Sequence, residues 1–373
     1  MSSRIGRGRI SGAAWLNGIS GQDRTFRLLH QAVLDAADVT LTLTNALYAL
    51  QCGQLRASLA GSRVEARAVR IQPYVDDETF FAARPFRRAR LQVELPKGLF
   101  TGIDVAGLLR GTAFRAAAFE VDHATLDAFL NRDKPLNPEP VPLRLLNEYL
   151  AAVERPIELT RLSVTNSRIV MSQRIEAGQK PGVMPFAELQ ITGEGIRNHG
   201  PPGATMRFQG RTRLMDAGTL KGSMEIPVSP SAGSFKYAAA LNPMDLVVLN
   251  PFLMVAGHTR IDSGQVHEAA VEISVEQGHA QGLFRGAYEG LAVTLLDRKT
   301  GSEEGVANRV KTFVADKLIL RTSNMPEPGA TLKSGRVDYI RQPNDKFMRF
   351  LWLGIRSGMF DLLGIKPFVG PPK

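Results

Sequence analysis

Glycine and proline punctuate this chain too often for long helices to run through most of it: 35 Gly and 22 Pro are spread over 373 residues. Glycine loses the most backbone entropy in a helix and proline removes a donor, so both act as breakers. Between them stand apolar runs of strand length. From Leu47 to Pro73, LYALQCGQLRASLAGSRVEARAVRIQP reads as three short strands separated by glycine-containing turns. The same grammar recurs at 89–95, 113–129, 158–171, 186–196, 205–228, 233–241, 259–275 and 279–296. Most intervening segments are too short for crossover helices, which predicts a mainly β chain, an antiparallel meander instead of alternating βα units.

Where alternation is clean, it separates an oily face from a wet one. Met206, Phe208, Gly210, Thr212 and Leu214 oppose Arg207, Gln209, Arg211 and Arg213. Val271, Ile273 and Val275 oppose Glu272, Ser274 and Glu276. With Leu291, Val293 and Leu295 from the run at 279–296, the residues Met206, Phe208, Leu214, Val271, Ile273 and Val275 form the candidate apolar lining. Two such sheets can bury their oily faces against each other as a sandwich, whereas one curled open sheet would line an apolar trough. Alternation is compatible with both.

Short helices interrupt the strands. Asp104 to Arg110 has Asp104 as a candidate N-cap and Gly111 as its stop, and further helices are expected at Leu143 to Val153 and Val306 to Ala315. The segment DKPLNPEPVP, Asp133 to Pro142, is a candidate internal boundary or a rigid loop within one body. The block NDKFMRFLWLGIRSGMFDLLG, 344–364, reads as an amphipathic helix. At 100° per residue Asp345, Arg349 and Arg356 share one side, Phe347, Phe350, Leu351, Ile355 and Leu362 the other, and Trp352 lies beside the basic face. Gly354 and Gly358, four apart, leave room for close approach. This helix either caps the sheet or meets a membrane or partner through Phe347, Arg349, Phe350, Trp352 and Arg356. The expected organisation is a body over 1–343, this helix at 344–364, and a tail at 365–373.

With 46 Lys plus Arg against 36 Asp plus Glu, the formal charge is +10, which attracts polyanions or anionic lipid from a distance. No RRM-like aromatic pair or zinc-finger spacing accompanies it, so nucleic acid is not an expected partner. Arg84, Arg87, Arg88 and Arg90 read as a solvated strand edge. The single cysteine, Cys52, allows neither an intramolecular disulfide nor a cysteine metal cluster. There is no run of about 20 apolar residues, and the opening MSSRIGRGRISGAAWLNG lacks an apolar stretch behind its basic residues. Neither a signal peptide nor a transmembrane helix is expected in the chain as written.

Catalytic signatures are missing as well. His267-Glu268 begins like HExxH, but Val271 stands where the second histidine belongs. GEGIRNHG at Gly193 to Gly200 reads as a β-turn, since its third glycine comes too late for a dinucleotide loop. No phosphate loop or GxSxG elbow occurs, the six histidines fall in separate segments, and Asp76, Asp77 and Glu78 would need partners brought from elsewhere to serve as acids or bases. No enzymatic activity, cofactor or metal is expected, and an enzyme would require a dispersed active site.

Several strings, taken in order, resemble the AsmA-like family of bacterial cell-envelope proteins, allied to the TamB-like and bridge-like lipid-transfer proteins. They begin with Gly102-Ile103-Asp104 and LLRG at Leu108 to Gly111, then LDAFLNRDKPL at Leu126 to Leu136, ELTRLSVTNSRIVM at Glu158 to Met171 and PFAELQITGEGIRN at Pro185 to Asn198. In the last third come Leu249-Asn250-Pro251, IDSGQV at Ile261 to Val266, GLFRGAYEGLAVTLLDRKTG at Gly282 to Gly301, LILRTSN at Leu318 to Asn324, GRVDYIRQP at Gly335 to Pro343, and the closing FLWLGIRSGMFDLLG block. The resemblance implies a long, strongly curled β-sheet, a β-groove whose concave apolar face holds acyl chains of phospholipid or another envelope lipid. It also implies a periplasmic, inner-membrane-associated place and a part in phospholipid transport or outer-membrane assembly. Family members usually begin with a transmembrane helix, which this chain lacks, so an internal start, a detached C-terminal portion or a lost anchor is expected. Lys346, Arg349 and Arg356 would suit anionic headgroups there, and Trp352 with Phe347 and Phe350 the interface. The alternative is a structural scaffold of the envelope that binds partner proteins at its sheet edges.

Overall fold

The computed structural model describes residues 2–11, 33–140, 145–176, 178–229, 233–296, 320–326 and 332–365. Among these residues sixteen strands form one sheet. They are β1 (Ser2–Ser11), β2 (Val33–Leu43), β3 (Tyr48–Ser58), β4 (Arg63–Pro73), β5 (Ala89–Thr101), β6 (Phe114–Asp122), β7 (Thr125–Asn131) and β8 (Ile157–Arg174). There follow β9 (Gly182–Arg197), β10 (Thr205–Leu214), β11 (Gly218–Pro227), β12 (Phe235–Leu241), β13 (Met244–Asp245), β14 (Thr259–Glu276), β15 (His279–Leu295) and β16 (Ser334–Ile340). Spatial order follows chain order, with β6 and β7 sharing the lane between β5 and β8, and β13 beside β14.

The chain is mainly β, as its alternation predicts, and its sheet is mixed: β6 and β7 both run parallel to β8, while all other neighbours are antiparallel. Parallel neighbours need a connection of about a dozen residues or more. Residues 132–156 supply it, so the proline-rich stretch returns the chain to the start of β8 within one sheet. On either side of it β7 and β8 pair directly, from Thr125↔Arg168 to Asn131↔Arg174. The stretch 47–73 forms two long strands instead of three short ones, because Gly53 lies inside β3 and not at a turn.

Among the described residues five α-helices decorate the sheet: α1 (Asp77–Ala82), α2 (Val105–Arg110), α3 (Leu146–Ala151), α4 (Asn250–Ala256) and α5 (Phe347–Leu363). In α2 the expected caps are in place, with Asp104 accepting from the Gly107 N–H at 2.9 Å and Gly111 left-handed at φ 64°. The helix expected at Leu143 to Val153 is α3, and α5 fills 344–364; the one expected at Val306 to Ala315 lies outside the described residues. Helices α1 and α4 were not legible as such.

A seam of irregular pairing crosses the strands. In β2, β3, β4 and β5 the ladder skips Asp38, Gly53, Ala68 and Pro96 at one level. At that level the β6–β7 lane breaks at His123, and β8 and β9 shift register around Asn166 and Glu188. Asp38, Ala68, His123, Asn166 and Glu188 are all left-handed, with φ between 49° and 56°. In β2 to β5 the skipped residues stand opposite one another and pairing resumes in the same register, while β8 and β9 carry a true irregularity, so the interruptions line up as one crease. The skipped residue also advances the alternation along its own strand by one. In β4 the apolar half-buried residues are therefore Val64, Ala66, Val69 and Ile71, with a three-residue step at the seam. Together with an ordinary twist of about 20° per neighbour, this keeps so wide a sheet from being flat.

The core is divided between the two ends of the strands. At the end where β3 turns into β4, β9 into β10 and β14 into β15, Leu59, Leu159, Ile196, Met206, Ile226, Phe235 and Val275 pack with Val105 of α2, Leu145 and Phe350 of α5. At the other end Ile261, Tyr288, Leu291 and Leu362 form one small cluster and Phe80, Phe81 and Phe129 another.

Candidate functional site

Register joins apolar side chains into rows that cross the sheet. One row takes one residue from each lane between β2 and β16: Leu34, Ala57, Val64, Phe100, Phe119, Leu162, Gly193, Phe208, Met224, Tyr237, Ile273, Gly282 and Val337. Two residues along each strand a second row runs Ala36, Leu55, Ala66, Gly98, Val121, Val164, Ile191, Gly210, Gly222, Ala239, Val271, Phe284 and Gly335. Beyond the seam Leu41, Leu50, Ile71, Val93, Leu126, Ile169, Phe186, Leu214 and Gly218 continue it from β2 to β11. No residue of these rows is charged. The one with a polar side-chain atom is Tyr237, whose hydroxyl donates to the Leu351 carbonyl at 3.0 Å. The reverse face is polar. There Arg161, Glu194, Arg207, Glu225 and Lys236 alternate in sign along one row, a favourable cross-strand arrangement.

Exposure changes along the first row. Its large side chains from Leu34 to Met224 are half-buried, whereas Tyr237, Ile273 and Val337 are buried, Ile273 to 3% and Val337 to 1%. The cause is α5, which lies on this face over β12 to β16. Phe350 is fully buried against the rings of Phe235 and Tyr339. Contact is close because glycines meet: a Cβ on Gly335 would collide with the Gly358 carbonyl, and one on Gly358 would stand 2.6 Å from Val337 Cγ2. The spacing of Gly354 and Gly358 thus serves helix-to-sheet packing. At the helix start the buried Asp345 accepts from the Tyr339 hydroxyl at 2.7 Å, the Gln342 N–H at 2.9 Å and Arg349 Nε at 2.7 Å.

The candidate lining residues divide accordingly. Met206, Val271, Ile273 and Val275 are packed core, and Phe208 and Leu214 are half-buried on the same face. Leu291 is buried in the small cluster with Ile261 and Tyr288, while Val293 and Leu295 are exposed near the end of β15 and belong to none of the three rows. Of the helix residues, Phe350 faces the sheet and Phe347 is half-buried. Trp352 and Met348 are 50% and 63% exposed on the outer side. Arg349 lies beside them, and Arg356 stands with its guanidinium 5.4 Å over the Phe360 ring. Burial lowers the Arg356 pKa from its usual value. The half-buried row residues of β2 to β9 were missed in the sequence; the signal that finds them is apolar spacing of two with a single step of three.

Side chains suited to chemistry are engaged elsewhere. Asp76 caps α1 through the Thr79 N–H at 2.9 Å. Asp77 takes Arg90 (Nε to Oδ1, 2.9 Å), and Glu78 takes Arg174 (Nη1 to Oε1, 2.6 Å). Both guanidiniums stand over Phe129, at 5.5 and 5.3 Å. Arg90 is therefore buried, not part of a solvated edge: Asp77 and Asp127 pair with its charge and the Phe129 ring lies against it. The Arg174 hydrogen bond lowers the Glu78 pKa, with burial opposing. His123, His267 and His279 each pair with one exposed carboxylate, those of Asp122, Glu289 and Asp338. Among the described residues no three His, Cys, Asp or Glu gather as a metal site, and no helix is long and apolar enough to cross a membrane. No protein-family model matches the chain, and no curated protein matches it.

Proposed function

We propose that this protein binds lipid acyl chains along the half-buried apolar face between β2 and β11, without catalysing a reaction, as a cell-envelope component of phospholipid transport or outer-membrane assembly. The observation that carries the proposal is the unbroken pair of uncharged rows, whose large side chains over that span are half-buried apart from the exposed Leu55. Backbone donors and acceptors of the inner strands are engaged in the ladder, so a peptide laid on this face would leave its own amides unpaired. An acyl chain has none to satisfy and gains about 0.8 kcal/mol per buried CH₂. Eight strand spacings of about 4.8 Å give roughly 38 Å, compared with about 15 Å for half of a bilayer's hydrocarbon core, which is room for an extended acyl chain. Envelope placement is proposed on the resemblance of the ordered strings, and a membrane contact on the exposed Met348 and Trp352 beside Arg349 and Arg356.

The test is native mass spectrometry with lipid extraction on the full chain after incubation with vesicles of phosphatidylethanolamine and phosphatidylglycerol. Bound phospholipid released on extraction is the expected result. A folded protein that stays at its apo mass overturns the proposal.

A further inference from the structure

We infer, on the basis of the acyl-chain reading above, that α5 makes the trough blind at its β16 end and so fixes how much acyl chain the site can take. The two rows continue under the helix without a change of chemistry, yet the first row is sealed there, with Tyr237, Ile273 and Val337 all buried. Phe350 is fully buried against the sheet, the Tyr237 hydroxyl is joined to the Leu351 carbonyl at 3.0 Å, and Gly358 meets Gly335 backbone to backbone. An acyl chain that slides along the rows from β2 is stopped beyond β14, past Val271, the last row residue that lines the open cavity.

The same helix also ends the hydrogen-bond ladder. On β16, the last strand, the Arg336 N–H donates to Asp361 Oδ2 at 2.7 Å and the Asp338 N–H to Ser357 Oγ at 3.3 Å. Those donors are what an added strand would need. One helix therefore closes the sheet to extension and the apolar face to passage. A ligand must enter and leave across the β2–β11 flank, and the site holds one or two phospholipids instead of a continuous file.

The test places a benzoylphenylalanine photoprobe at Phe119, Phe208 or Phe284 of the full chain, using variants whose melting temperature matches the parent. Each is irradiated with phosphatidylglycerol–phosphatidylethanolamine vesicles carrying a radiolabelled acyl chain. Label is expected at Phe119 and Phe208, with at least a tenfold loss at Phe284 beneath the helix. Equal labelling at Phe284 would overturn the blind end and leave lipid binding intact; no label at any position would overturn lipid binding itself. If a probe at Phe284 prevents folding, lipid counting by native mass spectrometry at saturation decides: one or two lipids per chain supports the stop, and a longer series refutes it.

Discussion

The β2–β11 flank and the β12–β16 flank of this sheet are built from the same apolar rows, yet along the first row one leaves its large side chains half-buried and the other seals them. In the first flank, Val64, Phe100, Phe119 and Phe208 stay half-buried at the margin of the core cluster that Val105 of α2 and Leu145 join. In the second flank, Tyr237, Ile273 and Val337 lie under α5. Apolar alternation therefore specifies a face, and whether that face becomes core or site depends on what is laid over it.

The sharpest break between the flanks is a charge placed in the same row on each. Ile273→Glu puts a carboxylate where no water or cation reaches it, with an expected cost of about 4 kcal/mol or more and loss of the cooperative thermal transition. Next comes Gly358→Ala, whose methyl would stand 2.6 Å from Val337 Cγ2; lifting α5 off the sheet should cost about 2–3 kcal/mol, read by urea denaturation. On the open flank Phe119→Glu leaves its carboxylate half in water, so stability should fall by only about 1–2 kcal/mol while lipid recovered by extraction drops sharply. If Phe119→Glu unfolds the chain as Ile273→Glu does, the flanks are alike and the comparison fails.

Two smaller effects belong to the seam. Ala68 is left-handed at φ 50°, and Ala68→Gly removes that strain against a higher unfolded-state entropy, so a net gain of up to about 1 kcal/mol in thermal stability is expected. Asp122 accepts from the Thr165 hydroxyl, the Asn166 amide and the His123 ring, which together hold its pKa down to about 2 from 3.8. A depressed carboxylate contributes stability above its unfolded pKa and loses it as pH falls through the folded one. Asp122→Asn should therefore melt slightly below the parent at pH 5, and the gap should close near pH 2.

Legibility in the sequence followed the seam. The alternation was clean on Met206 to Leu214 of β10, whose pairing with β11 is uninterrupted, and on Val271 to Val275, beyond the irregular part of β14. On β2, β3, β4 and β8 a single unpaired residue shifts the phase, so a strict period of two loses the pattern halfway, although both halves point the same way. The parallel β7–β8 pairing was hidden for another reason: a proline-rich strap looks the same whether it separates two bodies or returns the chain within one. Helix α5 was visible as a helix, but apolar residues surround most of its circumference. Phe350 and Trp352, two residues apart, could each have been taken for its outer face.

By itself the sequence determined local matters: strand-forming runs, glycine and proline breaks, the Asp104 and Gly111 caps, the charge, and an oily face opposite a wet one. These follow from backbone sterics and side-chain period, which act within a few residues. Only the tertiary structure decided that the rows meet end to end across the sheet, that a seam creases it, and that Gly335, Gly354 and Gly358 bring α5 down on one flank and not the other. Those outcomes depend on contacts between residues far apart in the chain, where register and close packing choose among arrangements that local preferences leave equal.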